Sequence, residues 1–296
     1  MEQKRVQFDF ELMFTNGGGM QGQGFRLDIA GDTISDRELA DYIVQDLRLL
    51  MVGEVRILNK QIISEAHKRQ TGVQQAGAVS LVDLSHSVSH GMVTYKGLPA
   101  PIICDYLSRE QSRSIYEPGT EFQIGKIEMV TNTGTYIDCP FHRYPDGKDT
   151  AAVALAELAD LPGIVIRADY RATPAIDVAC FRDHELRGRA VLVHTGWDAH
   201  WNTDQYFEGH PYLTEAAARY LVQCGAKLVG IDSLNIDSIS SGARPVHSTL
   251  LAAEILIVEH MCNLSALPDQ GFTFSAVPPK FHGVGTFPVR AFARVG

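Results

Sequence analysis

Asn132-Thr-Gly-Thr-Tyr136-Ile-Asp138-Cys-Pro-Phe-His142 is the stretch on which the reading of this chain turns. As one straight strand, it would put Asn132 and Tyr136 on the same face but about 13 Å apart, too far to act on one ion. Gly134 supplies the freedom for a bend, and Pro140 breaks the strand so that His142 turns back toward Asp138. An acidic side chain packed between Ile137 and Cys-Pro-Phe141 is costly to bury without a partner, so Asp138 reads as functional. Histidine is the side chain whose unperturbed pKa lies close to neutral pH, so His142 suits proton transfer. Taken alone, with Arg143-Tyr-Pro-Asp146 after it, it reads as a loop residue. Cys139 with His142 as its base would make a nucleophilic pair. Against that, neighbours in an extended segment point to opposite faces, and cysteine is often just a small buried apolar residue.

The chain around this stretch has 296 residues and 45% apolar content, enough for one large core or a core plus a small accessory domain. No apolar run is long enough to span a bilayer. Net charge is −9 and no Lys/Arg cluster occurs, which argues against nucleic acid or an anionic membrane and for a small-molecule substrate. The start MEQKRVQFDF has no apolar h-region, and the five cysteines (104, 139, 180, 224, 262) are scattered without CxxC spacing. The expectation is a cytoplasmic protein with free thiols.

Toward the N-terminus, Val6, Phe8, Phe10, Leu12 and Phe14 alternate as in a half-buried strand, and Phe25, Leu27 and Ile29 repeat the pattern, predicting a hairpin. Its connection, Asn16 to Gly24, lacks GK[ST] and opens no helix, so it reads as a flexible loop rather than a phosphate cradle. Ser35 and Glu38 form a capping-box pattern with Ile34 and Leu39 as a hydrophobic staple, predicting a helix from Ser35 through about Leu50. A strand through Val55, Ile57 and Leu58 follows. The polar stretch Ser64 to Gly77 then marks a boundary, giving a small α+β module over residues 1–75 and a larger α/β domain over 79–296. In that domain, apolar runs at Gly163–Ile166, Ala190–Val193, Lys227–Ile231 and Glu254–Val258 predict strands buried on both faces. Thr214 caps a helix over Glu215–Cys224 that ends at Gly225. Gly271–Val295 reads as a closing hairpin.

Gly134, Thr135, Asp138, Pro140 and His142 match the H-x-G-T-H-x-D-x-P-x-H signature of the cyclase-family hydrolases, the group of bacterial kynurenine formamidase and isatin hydrolase, which the segment resembles. Asn132 and Tyr136 stand where that signature has histidines. The resemblance runs from about Ser80 to Ala293. Asp83-Leu-Ser-His86 with Gly91, Tyr95 and Gly97 looks like the family's opening segment, and His194-Thr-Gly-Trp197 like its central turn. Leu228 to Asp232, Asp237, His247 and Ile257-Val-Glu259 follow in family order. The resemblance implies an α/β fold with a swivelling β/β/α cyclase-like domain, usually assembled as a homodimer or larger homo-oligomer. It also implies a metal-dependent site that opens amide or lactam C–N bonds.

On that resemblance, Asp138, His247 and Glu259 are the remaining matches to metal ligands. A carboxylate–imidazole–carboxylate trio with open positions suits one Zn²⁺ or Mn²⁺. Asn132 and Tyr136 are poor ligands when neutral, so a second ion is disfavoured and loss of metal altogether is the alternative. His142, with Asp138, becomes the acid/base pair. Asn132 and Tyr136 become substrate-side hydrogen-bond donors, with Phe141 and Trp197 as pocket walls. Read singly, His247 could instead cap a helix, Glu259 could end an exposed strand, and Trp197 could be packing. His67, His184, His200 and His260 have no such context and read as surface or structural. The expected activity is hydrolysis of a small amide, aryl formamide, or cyclic amide or imide. The alternatives are a metal-free ligand-binding protein, or a cyclase or dehydratase acting on a carbonyl intermediate.

Overall fold

The computed structural model describes residues 3–29, 31, 33–46, 52–65 and 79–296. The chain divides into two compact units, Met1–Gln75 and Ala76–Gly296. Residues 66–78, including His67 and most of the expected boundary stretch, lie outside the described residues. Among the described residues no helix is long and apolar enough to cross a membrane.

The first unit is a three-stranded antiparallel sheet in the order β2-β1-β3, formed by β1 (Gln3–Phe14), β2 (Gly19–Asp28) and β3 (Val52–Glu65). The alternation in β1 buries Val6, Phe8, Phe10 and Leu12, and these pack with Leu39 and Ile43 of helix α1 (Asp36–Asp46). The start of α1 follows its capping box. The Ser35 amide donates to Glu38 Oε2 at 2.9 Å, and the Glu38 amide donates to Ser35 Oγ at 3.2 Å. The expected helix end near Leu50 lies outside the described residues. The β1–β2 connection is shorter than its glycines suggest, because pairing reaches Met13 opposite Gly19. Backbone hydrogen bonds carry that pairing without side chains.

The second unit begins with β4 (Ser80–Asp83), β5 (Ile102–Leu107), the one-turn helix α2 (Arg109–Ser112), β6 (Ile124–Glu128) and β7 (Tyr136–Asp138). β8 (Leu161–Arg167), β9 (Ala175–Ile176), β10 (Ala190–His194), β11 (Tyr212–Leu213) and helix α3 (Glu215–Cys224) come next. β12 (Leu228–Ile231), helix α4 (Pro245–Ala252) and β13 (Leu256–Glu259) lead to β14 (Gln270–Ser275), β15 (Thr286–Pro288) and β16 (Phe292–Val295).

Nine of these strands form one mixed sheet in the order β15-β7-β13-β12-β10-β8-β14-β16-β4. Its centre, β8, β10, β12 and β13, is parallel and matches the four apolar runs of the sequence. Alternate residues feed two cores. Ile164, Val191, Val229 and Ile257 pack under α3 and α4, while Val165, Leu192, Leu228 and Val258 meet Phe272, Phe274 and Ala291 on the other face. Each such side chain, fully buried, contributes about 1.5–3 kcal/mol. Thr214 caps α3, accepting from the Ala217 amide, and Gly225 closes the helix at φ +74°.

The closing hairpin is where the sequence expectation and the structure part. β14 pairs with β16, but the intervening β15 crosses to the opposite sheet edge and pairs with β7. The turn residues from Pro278 to Gly285 make that excursion possible, and a local pattern carries no record of a partner so distant. The excursion brings Gly285 onto the back of the His142 turn. A Cβ there would lie 2.3 Å from the His142 backbone nitrogen. Gly285→Ala is therefore predicted to cost about 1–3 kcal/mol of stability in chemical denaturation, as overpacking does. An unchanged denaturation midpoint would contradict this contact.

Candidate active site and metal centre

The site is assembled by strand register. Gly134, at φ +67°, makes the bend that ends the loop before β7. Tyr136 and Asp138 then share one face of β7, while Ile137 points into the core behind them. Tyr136 lies opposite Glu259 of β13, and its hydroxyl donates to Glu259 Oε2 at 2.5 Å. Asp138 lies opposite Thr286 of β15, and the Thr286 hydroxyl donates to Asp138 Oδ1. Pro140 starts a 3₁₀ turn over Pro140–His142, closed by the His142 amide donating to the Cys139 carbonyl at 2.8 Å. The turn returns His142 Nδ1 to 3.9 Å from Asp138 Oδ1 and 2.8 Å from Thr286 Oγ1. With the Thr286 proton committed to Asp138, its oxygen accepts from His142 Nδ1–H, which leaves Nε2 as the basic nitrogen.

His247 comes from the first turn of α4. Asp237 accepts from the Val246 and His247 amides at 2.8 and 3.0 Å and from His247 Nδ1 at 2.6 Å. One carboxylate thus caps the helix and fixes the imidazole. His247 Nε2 is left 3.6 Å from Asp138 Oδ2 and 3.6 Å from Glu259 Oε1. Glu259 Oε1 also accepts from the Ile236 amide at 2.6 Å. Glu259 is fully buried, not a solvent-exposed strand end.

Burial dominates the electrostatics here. It pushes the Glu259 carboxyl up to about 7, against the pull of His247. Burial opposes charge on His247 too, but the Glu259 charge, the nearby Asp138 carboxylate and the hydrogen bond His247 donates to Asp237 outweigh it and raise the imidazole to about 10. Asp138 is pushed up by burial, yet the close His247 imidazole, the His142 charge and the Thr286 hydrogen bond hold it below the usual carboxylate range. Burial, followed by the Glu259 and Asp138 charges, raises the Tyr136 phenol well above its ordinary value, so it stays protonated. Cys139 is buried, and desolvation pushes its thiol up to about 12, which does not suit a nucleophile.

The donor set fits one cation. Asp138 Oδ2 is buried and has no hydrogen-bond partner, an open acceptor of the kind a cation would fill. The 3.6 Å spacings of His247 Nε2 to Asp138 Oδ2 and to Glu259 Oε1 are close to the roughly 3.4 Å between donors around a tetrahedral ion with bonds of about 2.0–2.1 Å. Among the described residues, the set whose ligand atoms all lie within 4.8 Å of one another is Asp138, His142 and His247, and Glu259 is outside it. A second ion does not fit, because the Tyr136 hydroxyl is spent on Glu259 and Asn132 offers only a neutral amide.

Asn132, Tyr136, His142, His247 and Glu259, together with Arg244 and further residues, line a cleft of about 200 Å³, and the fully buried Asp138 is not among its lining residues. Phe141 and Trp197 are not among its lining residues. Phe141 is half-buried, and Trp197 packs with Tyr206 and Leu234 in a separate cluster, its indole N–H donating to the Tyr206 carbonyl at 3.1 Å. His260 is fully buried beside Tyr206. Asp232 anchors the turn ahead of Trp197 by accepting from the Thr195 and Gly196 amides and from Thr195 Oγ1. Sequence reasoning assigned no role to Thr286 or Asp237. Thr286 has no local signature at all, and Asp237 stands out only through its place in the family order.

The family profile described as "Putative cyclase" matches residues 82–238. The chain is 26% identical over 217 residues to a kynurenine formamidase of Bacillus cytotoxicus, spanning 72% of this chain and 96% of that protein. It is 31% identical over 172 residues to a kynurenine formamidase of Geobacillus thermodenitrificans, spanning 58% of this chain and 79% of the relative. Among solved structures, an isatin hydrolase bound to the product analogue thioisatinate superposes with a TM-score of 0.64 at 22% identity. That match covers 74% of this chain and 93% of the isatin hydrolase, and it speaks for the fold alone. With a profile match over more than half its length and a 31%-identical relative spanned over most of its own, the chain belongs to the cyclase family.

Proposed function

We propose that residues 79–296 form a hydrolase domain that opens the C–N bond of a small amide, an aryl formamide or a cyclic amide or imide, with residues 1–75 as an appended α+β module. The observation that carries this reading is the buried Asp138–His247–Glu259 cluster, of which His247 and Glu259 line one cleft with His142. Membership of the cyclase family and the names of the two formamidase relatives support it.

Asp138, His247 and Glu259 would hold one divalent ion, Zn²⁺ or Mn²⁺, which would polarise the carbonyl and bring the pKa of a water toward neutrality. Asp237 keeps His247 in the tautomer whose Nε2 faces the centre. Thr286 and Asp138 hold His142 with its proton on Nδ1, so Nε2 takes the proton of the attacking water and returns it to the leaving nitrogen. Tyr136, protonated and tied to Glu259, orients that carboxylate, and Asn132 offers amide N–H groups to the substrate.

His142→Ala is predicted to lower the turnover of an aryl formamide roughly two to four decades. Label from ¹⁸O-water should appear in the acid released by the unaltered protein. Turnover within tenfold of the unaltered protein in His142→Ala, or product without label, would overturn the assignment.

The raised His247 pKa has a consequence for metal-stripped protein. Its stabilising contribution is full below the unfolded value near 6.5 and is lost as pH rises through the folded value of about 10. Denaturation midpoints of chelator-treated protein should therefore fall between pH 7 and 10, and fall less in His247→Gln. Parallel profiles for the two proteins would contradict this account.

A further inference from the structure

β13 and β7 stay in register up to the pair Glu259 and Tyr136, and there the pairing stops. The next residue, His260, is fully buried and sits at φ +55°, in the left-handed region that a residue with a Cβ rarely adopts. Such a conformation persists only where its surroundings hold it. Here the His260 amide donates to the Ser233 carbonyl at 3.2 Å, and its Nδ1 meets the Tyr206 hydroxyl at 3.0 Å. The His260 carbonyl accepts from the Thr135 hydroxyl at 2.5 Å.

Thr135 is buried and is not among the residues lining the cleft. Its Oγ1 also accepts from the His86 amide at 3.0 Å, and its carbonyl accepts from the Val289 amide at 2.9 Å. One hydroxyl thus ties the start of β7 to the segment after β4 and to the kink after β13. From that kink the chain runs on into a bridge between Met261 and Ser85 and a hydrogen bond from the Cys262 amide to the Leu84 carbonyl. The kink therefore decides where β13 leaves β7, and Glu259 is the residue at that point. Glu259 Oε2 accepts from Tyr136, while Oε1 accepts from the Ile236 amide at 2.6 Å and lies 3.6 Å from His247 Nε2. A carboxylate adjoining the kink moves with it, so a rotation at His260 displaces both oxygens together.

We propose that Thr135 is a positioning residue: its hydroxyl holds the left-handed turn at His260 and thereby aims Glu259 at His247 Nε2 and at the Ile236 amide. Its effect on metal rests on the reading of Asp138, His247 and Glu259 as a cation site, whereas its effect on the Ile236 contact needs no cation. Valine has nearly the shape of threonine but leaves the buried His260 carbonyl and His86 amide without the partner that the hydroxyl gives them. Serine keeps the hydroxyl.

The test compares Thr135→Val and Thr135→Ser in the full-length protein by amide hydrogen exchange without metal and by Zn²⁺ titration against a chromogenic chelator. In Thr135→Val the Ile236 amide should exchange about tenfold faster or more, measured relative to the amides of β10 and β12, which report general loosening. Zn²⁺ affinity should fall about ten- to a hundredfold, as it does when a group that orients a ligand is removed. Thr135→Ser should stay within about threefold of the unaltered protein in both readouts, because the donor and acceptor are retained. In a Glu259→Gln background, Thr135→Val should weaken Zn²⁺ binding by less than about threefold further, since both changes act through one carboxylate. Ile236 exchange that rises only in step with β10 and β12, or Zn²⁺ losses that add in full, would mean a merely structural threonine and overturn the proposal. If the unaltered protein takes up no Zn²⁺, the metal reading falls, and the exchange of Ile236 alone decides the role of Thr135.

Discussion

The buried carboxylate of Asp138 is the constraint on which the rest of the site depends. It sits on a three-residue strand paired on both sides, with β13 supplying Glu259 and β15 supplying Thr286. Asp138, Glu259 and Asp237 surround the single imidazole of His247, so three carboxylates share one base in a region with little solvent. Buried charge of one sign in such excess is costly unless protons or a cation neutralise it. Without a cation, the cluster balances itself by keeping His247 protonated and raising Glu259 to about 7. In the proposed reading a divalent ion takes over that balance, and its binding releases the protons that His247 and Glu259 otherwise retain.

The same constraint gives meaning to the replacement of two signature histidines. Tyr136 does not stand in for an imidazole as a ligand. Its hydroxyl stays protonated and satisfies one oxygen of Glu259, a task that would otherwise fall to a cation or a water. The substitution thus exchanges a donor to metal for a donor to carboxylate. One ion remains compatible with the centre, held from the Asp138 and His247 side.

Much of the fold was legible because it rests on local periodicity. The alternation in β1, the capping box at Ser35, the four apolar runs of the parallel centre and the Thr214–Gly225 helix all appear where the pattern puts them. The bend at Gly134 and the turn at Pro140 could likewise be argued from single residues. What could not be read was long-range register. Nothing around Thr286 signals that β15 leaves the closing hairpin to lie beside Asp138, and nothing around Asp237 marks it as the residue that orients His247.

The central claim is that the Asp138–His247–Glu259 centre holds one divalent ion. Its most direct test is elemental analysis of protein purified without chelator or added metal, with Asp138→Asn prepared in parallel. The account predicts about one Zn or Mn per chain in the unaltered protein and a loss of most of it in the variant, which removes the charge of a buried carboxylate whose Oδ2 has no hydrogen-bond partner. Metal at background in the unaltered protein, or equal metal in both, would contradict it and leave the centre balanced by protons alone.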